Sequence, residues 1–283
     1  MEKKLILRGA LAGAIAGLLA FVFARIFAEP QIQAAIDYES GRDNMQALLD
    51  KAAGLPPEPP GPDIFSRTIQ ANVGIGTGMI LFGVAVGLLF AVVYTVCLGR
   101  VGKVRARNLA LLVAGGGFLG IYLVPFIKYP ANPPSIGHPD TIGLRGALYV
   151  VMVACSVLFL SLALWLGRRL AKRLGNWNAV LLAGAAFIVV IGVVMAILPP
   201  LGHLADNVRE FGLQSTETPL PLRNAQGTIV YPGFPADTLF LFRFYSVGAQ
   251  LILWTTLALV FGPLAERVLN PKPAKTVEAV PVG

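Results

Sequence analysis

The stretch at positions 73–98, VGIGTGMILFGVAVGLLFAVVYTVCL, contains no charged residue. A helix rises about 1.5 Å per residue, so roughly 20 residues cross the ~30 Å hydrocarbon layer of a bilayer. Backbone groups in lipid have to satisfy one another, so this run is predicted to be a membrane-spanning α-helix. Five other apolar runs have a similar length, and the six predicted spans are 5–27, 73–98, 109–127, 146–167, 179–198 and 239–262.

The composition also indicates an integral membrane protein. Of the 283 residues, 55% are hydrophobic and only 13% are charged, whereas roughly 25% of a soluble domain is charged. The predicted fold is therefore an all-α, six-transmembrane-helix bundle built as three hairpins, with an extracytoplasmic loop vestibule. One transmembrane domain is expected over residues 1–270, followed by a disordered cytoplasmic tail over residues 271–283.

Basic residues are concentrated in alternate loops. If the N-terminus is cytoplasmic, 14 basic and three acidic residues face the cytoplasm, and nine basic and 12 acidic residues face the other side. Lys and Arg in short loops favour the cytoplasmic side, so both termini are predicted to be cytoplasmic in a multi-pass protein. Topology and contact with anionic membrane lipids then explain the formal charge of +8, and no nucleic-acid partner is expected.

Glycines recur at four-residue spacing on three of the predicted spans. They are Gly9, Gly13 and Gly17 on the first span, Gly83 and Gly87 on the second, and Gly116 and Gly120 on the third. Small residues at this spacing share one helix face and let two backbones approach closely. These faces are therefore predicted to be contacts between helices.

Each predicted helix that returns towards the cytoplasm begins with a similar set of residues. A proline and an aspartate come first, and an arginine follows within two turns; the aspartates are Asp63, Asp140 and Asp237, and the arginines are Arg67, Arg145 and Arg243. We expect the aspartate to cap the helix N-terminus and the arginine to reach the membrane interface. Either an internal repeat or the general needs of a membrane-entering helix explains the pattern.

Both histidines of the chain lie in predicted extracytoplasmic loops, each close to an aspartate. His138 precedes Asp140, and His203 precedes Asp206. Imidazole and carboxylate groups suit divalent first-row metals, and His203 and Asp206 would share a face if the segment were helical. The four residues are candidate metal ligands. The alternative is that both pairs are ordinary loop residues, since Asp140 already has an expected capping role.

Other polar residues lie where a substrate path would begin or continue. Glu29 would add an oxygen ligand at the same mouth, in a segment predicted to form two short amphipathic helices. Arg243 and Gln250 fall in the last span, where polar groups usually face the bundle interior. They either join helices or line a path.

Motifs of soluble enzymes are missing from the sequence. It has no P-loop, no zinc-protease motif and no serine-nucleophile elbow. We therefore expect no enzymatic activity, no catalytic residue and no tightly bound cofactor.

The loop after the third span carries the most specific motif. Residues 129–134 read YPANPP, with PDTI at 139–142; GLLAF at 17–21 precedes Glu29-Pro30, and FPAD at 234–237 precedes Arg243 and Gln250. These segments extend from the first predicted span to the last, and together they resemble the CbtA family, the proposed cobalt transporter subunit. We expect residues 129–134, including Tyr129 and Asn132, to form a rigid rim.

The resemblance implies a bacterial inner-membrane protein that takes up Co²⁺, or else Ni²⁺, for cobalamin synthesis. Such proteins are proposed to work with CbtB, a small single-span partner with a histidine-rich tail. Two alternatives stay open. The chain would be a non-transporting accessory or scaffold subunit that stabilises a partner, or a membrane-embedded metal-dependent hydrolase that uses the His–Asp pairs.

Overall fold

The computed structural model describes residues 1–56, 65–102 and 104–270. Within them, five helices are long and apolar enough to cross a membrane. This confirms the prediction of a mostly helical membrane protein. The predicted tail at 271–283 and the predicted cap Asp63 lie outside the described residues, as does most of the proline-rich segment before Asp63.

The helices and strands follow one another in a simple order. They are α1 (Glu2–Phe27), α2 (Glu29–Ala52), α3 (Arg67–Cys97), α4 (Ala106–Lys128), α5 (Ile142–Ile197), α6 (Ala205–Phe211), β1 (Leu222–Arg223), β2 (Ile229–Tyr231) and α7 (Ala236–Leu269). Short π-helical segments occur in α3 at Gln70–Gly74 and in α4 at Phe118–Leu123, and 3₁₀ turns occur at Pro139–Thr141 and Leu201–His203.

The predicted fourth and fifth spans both lie in α5, which is 56 residues long and is interrupted at Gly175. Gly175 has φ 75° and ψ 165°, a conformation that glycine adopts without steric cost. A β-carbon on Gly167 would lie only 3.4 Å from the β-carbon of Ala183, whereas an unbroken helix would separate these residues by about 24 Å. The segments 142–174 and 176–197 therefore fold back on each other.

The connection between α1 and α3 differs from the prediction of two short helices. It contains one continuous helix, α2, of 24 residues. Pro30 is in its first turn, where the missing N–H of proline would have no helical partner anyway. Gly41 lies within the helix against the hydroxyl of Tyr231, so it makes room for a tertiary contact and does not end the helix.

The Cα positions divide the described chain into two compact units. Unit 1 contains Met1–Leu19, Gly78–Gly115 and residues 252–270, and unit 2 contains the described residues of Ala20–Thr77 and Gly116–Leu251. Each unit has its own packing.

In unit 1, the glycines of α1 lie directly against those of α3. A β-carbon on Gly13 would collide with the carbonyl oxygen of Gly83, and one on Gly9 would collide with that of Gly87. The close approach predicted for these two glycine faces is thus confirmed. Gly116 of the third predicted face differs, because a β-carbon there would meet no atom within 4 Å.

In unit 2, an apolar cluster forms around Val124, Tyr129, Met152 and Ile191. A second cluster joins α2 to the loops through Ala35, Tyr38 and Ile136. The two short strands pair antiparallel, with Leu222 opposite Tyr231. Long loops are therefore held against helices by side chains of their own.

We predict that Gly13→Ala lowers the free energy of unfolding of the detergent-solubilised protein by roughly 1–3 kcal/mol, because the added methyl group forces two backbones apart. Gly115→Ala is the matched control, since a β-carbon there meets nothing within 4 Å. It should be neutral or stabilising by up to ~1 kcal/mol, as expected for alanine in a helix. Thermal unfolding of both variants checks the prediction, and equal melting temperatures would contradict it.

Candidate functional site

A fully buried carboxylate, that of Glu217, organises the loops of unit 2. Its side chain has 0% exposure, although it belongs to the irregular segment that follows α6. A carboxylate in such a place is stable only if donors and a cation compensate for the lost hydration. Glu217 has both kinds of partner.

The partners of Glu217 come from three different segments. The Asn207 side-chain amide donates to Oε1 at 2.6 Å, and the Thr141 hydroxyl lies 2.7 Å from the same oxygen. The Arg145 guanidinium lies 2.8 Å from Oε2. The Thr141 hydroxyl is also 2.9 Å from the His138 carbonyl, but its single proton goes to the carboxylate, the stronger acceptor.

His138 extends this group of residues, which we call the Glu217 cluster: Glu217, Thr141, Asn207, Arg145, His138 and Glu210. His138 Nδ1 accepts a hydrogen bond from the Asp140 backbone N–H at 3.2 Å, and Nε2 lies 2.8 Å from the Glu210 carboxylate. Since Nδ1 accepts, Nε2 carries the proton that is donated to Glu210. Both ring nitrogens of this buried histidine are thus engaged.

The prediction that Asp140 caps the N-terminus of a helix is wrong. His138 is the N-cap residue of the turn Pro139–Thr141, and its imidazole accepts from the Asp140 N–H. Asp140 itself is the second residue of that turn, and its side chain is exposed. Histidine is not expected as an N-cap residue, because the short side chains of Asp and Ser usually cap helix N-termini.

The three arginines at the beginnings of returning helices all bind groups from other segments. Arg67 lies 2.6 Å from the buried Glu29 carboxylate, and Arg145 binds Glu217. Arg243 donates to the Asn132 side chain at 2.8 Å and to the Ala131 carbonyl at 3.1 Å. Arg67 thus binds helix α2, and Arg145 and Arg243 bind irregular segments. The expectation that these arginines reach the membrane interface stays a prediction.

Two of the predicted rim residues are structural in this arrangement. Tyr129 is buried, and its hydroxyl donates to the Pro199 carbonyl at 2.9 Å. Asn132 binds Arg243, so the YPANPP segment is held at Tyr129 and at Asn132. Gln250 is half-buried on α7.

His203 and Asp206 do not share a helix. His203 ends a 3₁₀ turn, Leu204 is extended with ψ 143°, and Asp206 is in the first turn of α6. His203 is exposed, and Asp206 lies 3.2 Å from Arg209. Within residues 1–56, 65–102 and 104–270, no three His, Cys, Asp or Glu side chains come together as a metal site. The predicted ligands stay a prediction.

Burial changes the acid–base properties of α2 where it packs on the loops. Desolvation raises the pKa of Glu39, although a hydrogen bond to Ser135 opposes the change, and it also raises the pKa of Tyr38. The Tyr38 hydroxyl donates to the Pro232 carbonyl at 2.9 Å. Burial at this contact therefore disfavours the charged forms of both side chains.

Comparison with known families decides the relationship of this chain. The sequence model of CbtA, described as probable cobalt transporter subunit, matches residues 2–266. The chain belongs to the CbtA family. No curated protein and no solved structure matched the chain. The resemblance noted in the YPANPP loop and its neighbours is thereby confirmed, and the CbtA match covers all the long helices.

Sequence reasoning missed the centre of this CbtA site. Glu217, Asn207 and Glu210 stand in no recognisable motif, and they meet Arg145 and His138 only through the tertiary fold. The repeated arginines were the one available signal. A cation at the end of a membrane span requires a partner, so their presence indicated that acids or amides from the loops would lie nearby.

We predict that Arg145→Gln destabilises the protein by roughly 3–5 kcal/mol, because it leaves the buried Glu217 charge without its cation. Arg209→Gln is the matched control. Its exposed pair with Asp206 is worth at most about 1 kcal/mol. Thermal unfolding in detergent measures both effects, and a similar small loss in the two variants would show that the buried pair does not hold the loops.

Proposed function

We propose that this chain is the membrane subunit of a Co²⁺ uptake system that supplies cobalamin synthesis. The observation that carries the proposal is the match of the CbtA model over residues 2–266, which includes every long apolar helix. The exposed side chains of Asp140 and His203 agree with a transport role.

The proposed topology is a six-crossing protein in the bacterial inner membrane, with both termini in the cytoplasm. The break at Gly175 supports two crossings within α5, since an unbroken helix of 56 residues would extend about 84 Å against a hydrocarbon layer of ~30 Å. The excess of basic residues in alternate loops supports the orientation. Residues 129–145 and 199–238 would then form the extracytoplasmic vestibule.

Metal contact is proposed at the exposed members of the predicted ligand set. Asp140 and His203 have exposed side chains and could meet a hydrated cation directly. His138 would have to release Glu210, and Asp206 would have to release Arg209. Transient contact of this kind suits a carrier, which must bind its ion weakly enough to let it go.

Gln250 is the one candidate residue for the inner part of the proposed ion path. Gln250 is proposed to pass the ion inwards from α7. Glu29 binds Arg67, and Arg243 binds Asn132. We propose that these two contacts stabilise the rim that includes Tyr129 and Asn132.

The family description calls its members subunits, which implies a complex. We propose that the partner is a small single-span membrane protein with a histidine-rich tail, like CbtB, that captures the ion. The complete sequence has only two histidines. A second candidate function is an accessory subunit that stabilises such a partner without transporting. The complete pairing of Arg67, Arg145 and Arg243 with loop groups favours it.

We expect labelled Co²⁺ to enter proteoliposomes that contain this chain together with a histidine-rich single-span partner. The double variant Asp140→Asn, His203→Ala should lower the initial rate roughly tenfold, the scale of affinity loss when a metal site is disturbed. Asp43→Asn, an exposed acid outside the predicted set, is the control and should transport normally.

The two candidate functions give different results in this assay. Flux that depends on Asp140 and His203 supports transport through this chain. Absence of flux with and without the partner would contradict transport, and flux through the partner alone that the chain merely increases would identify it as an accessory subunit.

A further inference from the structure

A groove lined by four cations and a tryptophan lies beside the turn at Gly175. It has a volume of about 460 Å³, and its lining residues are Trp165, Arg168, Arg169, Lys172 and Arg173. All five belong to unit 2 and to the last turns of segment 142–174. The proposed function makes no use of this groove.

The cations of the groove have no acidic residue nearby in sequence. Between Asp140 and Asp206 the chain contains neither Asp nor Glu. The ion pairs found within the described residues include none of these four side chains. The groove therefore has a strong positive potential that nothing described in this chain neutralises.

The tryptophan indicates at which depth of the membrane the groove would lie. Trp165 is 57% exposed, and the Arg169 guanidinium lies 5.5 Å from its ring centre, a cation–π distance. Trp177, 76% exposed, follows just after the turn. Tryptophans favour the boundary between hydrocarbon and water, so the cations beside them lie where lipid phosphates are found.

General electrostatics explains part of this arrangement. Basic residues near the C-terminus of a helix interact favourably with its dipole, and basic loops favour the cytoplasmic side. Neither effect requires one of these side chains to stack on an exposed tryptophan.

We propose that the groove is a binding site for the headgroup of an anionic phospholipid. The phosphodiester would lie among Arg168, Arg169, Lys172 and Arg173, and an acyl chain would pass along Trp165. Basic pockets beside membrane helices bind anionic lipid headgroups in this manner. Such a lipid would hold the turn at Gly175 at the membrane surface, whether or not the chain transports cobalt.

The test measures lipid retained by the purified full-length chain. The chain is delipidated in detergent, titrated with phosphatidylglycerol or phosphatidylcholine, and analysed by native mass spectrometry. We expect one phosphatidylglycerol to bind with clear preference. The variant Arg168→Gln, Arg169→Gln, Lys172→Gln, Arg173→Gln should bind it at least tenfold more weakly, in line with the contribution of each cation near a lipid surface.

The control variant removes the same charge from other exposed basic residues: Lys3→Gln, Lys4→Gln, Arg105→Gln, Arg267→Gln. It should bind phosphatidylglycerol as the unmodified chain does. Trp165→Leu changes no charge and should weaken binding about two- to fivefold through loss of the cation–π contact. Equal losses in both quadruple variants, or none in the groove variant, would overturn the proposal.

Inorganic phosphate and glycerol phosphate form a separate arm of the experiment. If they displace bound phosphatidylglycerol only at large excess, the acyl chains contribute and the ligand is a lipid. If either binds the unmodified chain as tightly as the lipid does, with the same sensitivity to the groove variant, the site recognises a free phosphate and the lipid assignment is overturned.

Discussion

An arginine at the beginning of a membrane helix needs a hydrogen-bonding or ionic partner, and several segments of unit 2 provide one. A guanidinium cannot lose its proton, so near the hydrocarbon layer it needs a hydrogen-bonding partner that stays with it. Arg67 pairs with Glu29, and Arg145 pairs with Glu217. Arg243 donates hydrogen bonds to the Asn132 side chain and to the Ala131 carbonyl. Arg67 therefore fixes α2, and Arg145 and Arg243 fix irregular segments, against the helices that these arginines begin.

This arrangement separates the polar groups that build the structure from those available to a substrate. Glu29 and Glu217 are buried and paired with arginines, and a loss of either partner would expose an uncompensated charge. Asp140 and His203 are exposed, each in a short turn of a different loop. A transported metal ion would need exposed ligands such as Asp140 and His203. Buried, paired residues such as Glu29 and Glu217 would hold the loops that carry those ligands.

Patterns local in sequence were sufficient for part of this structure. Runs of about 20 apolar residues predicted the helices, and glycines at four-residue spacing predicted the contact of Gly9 and Gly13 with Gly87 and Gly83.

Contacts between distant segments could not be predicted in the same way. Arg145 and Glu217 are far apart in sequence, and no spacing rule connects them. Gly41 lies within α2 against the hydroxyl of Tyr231, which belongs to the distant strand β2. The nearness of an aspartate in sequence predicted both His138 and His203 as metal ligands, yet only the fold distinguishes the first, with both nitrogens engaged, from the second, which is exposed.

We propose that the arginine-bound loops face away from the cytoplasm and that the basic turn at Gly175 faces into it. Labelling with a membrane-impermeant maleimide tests this directly, in a chain with Cys97 and Cys155 replaced by serine and one new cysteine at the exposed Ala131 or Asn176. We expect Ala131→Cys to react in intact cells and Asn176→Cys to react only after permeabilisation. Labelling of Asn176→Cys in intact cells, or protection of Ala131→Cys, would contradict the account.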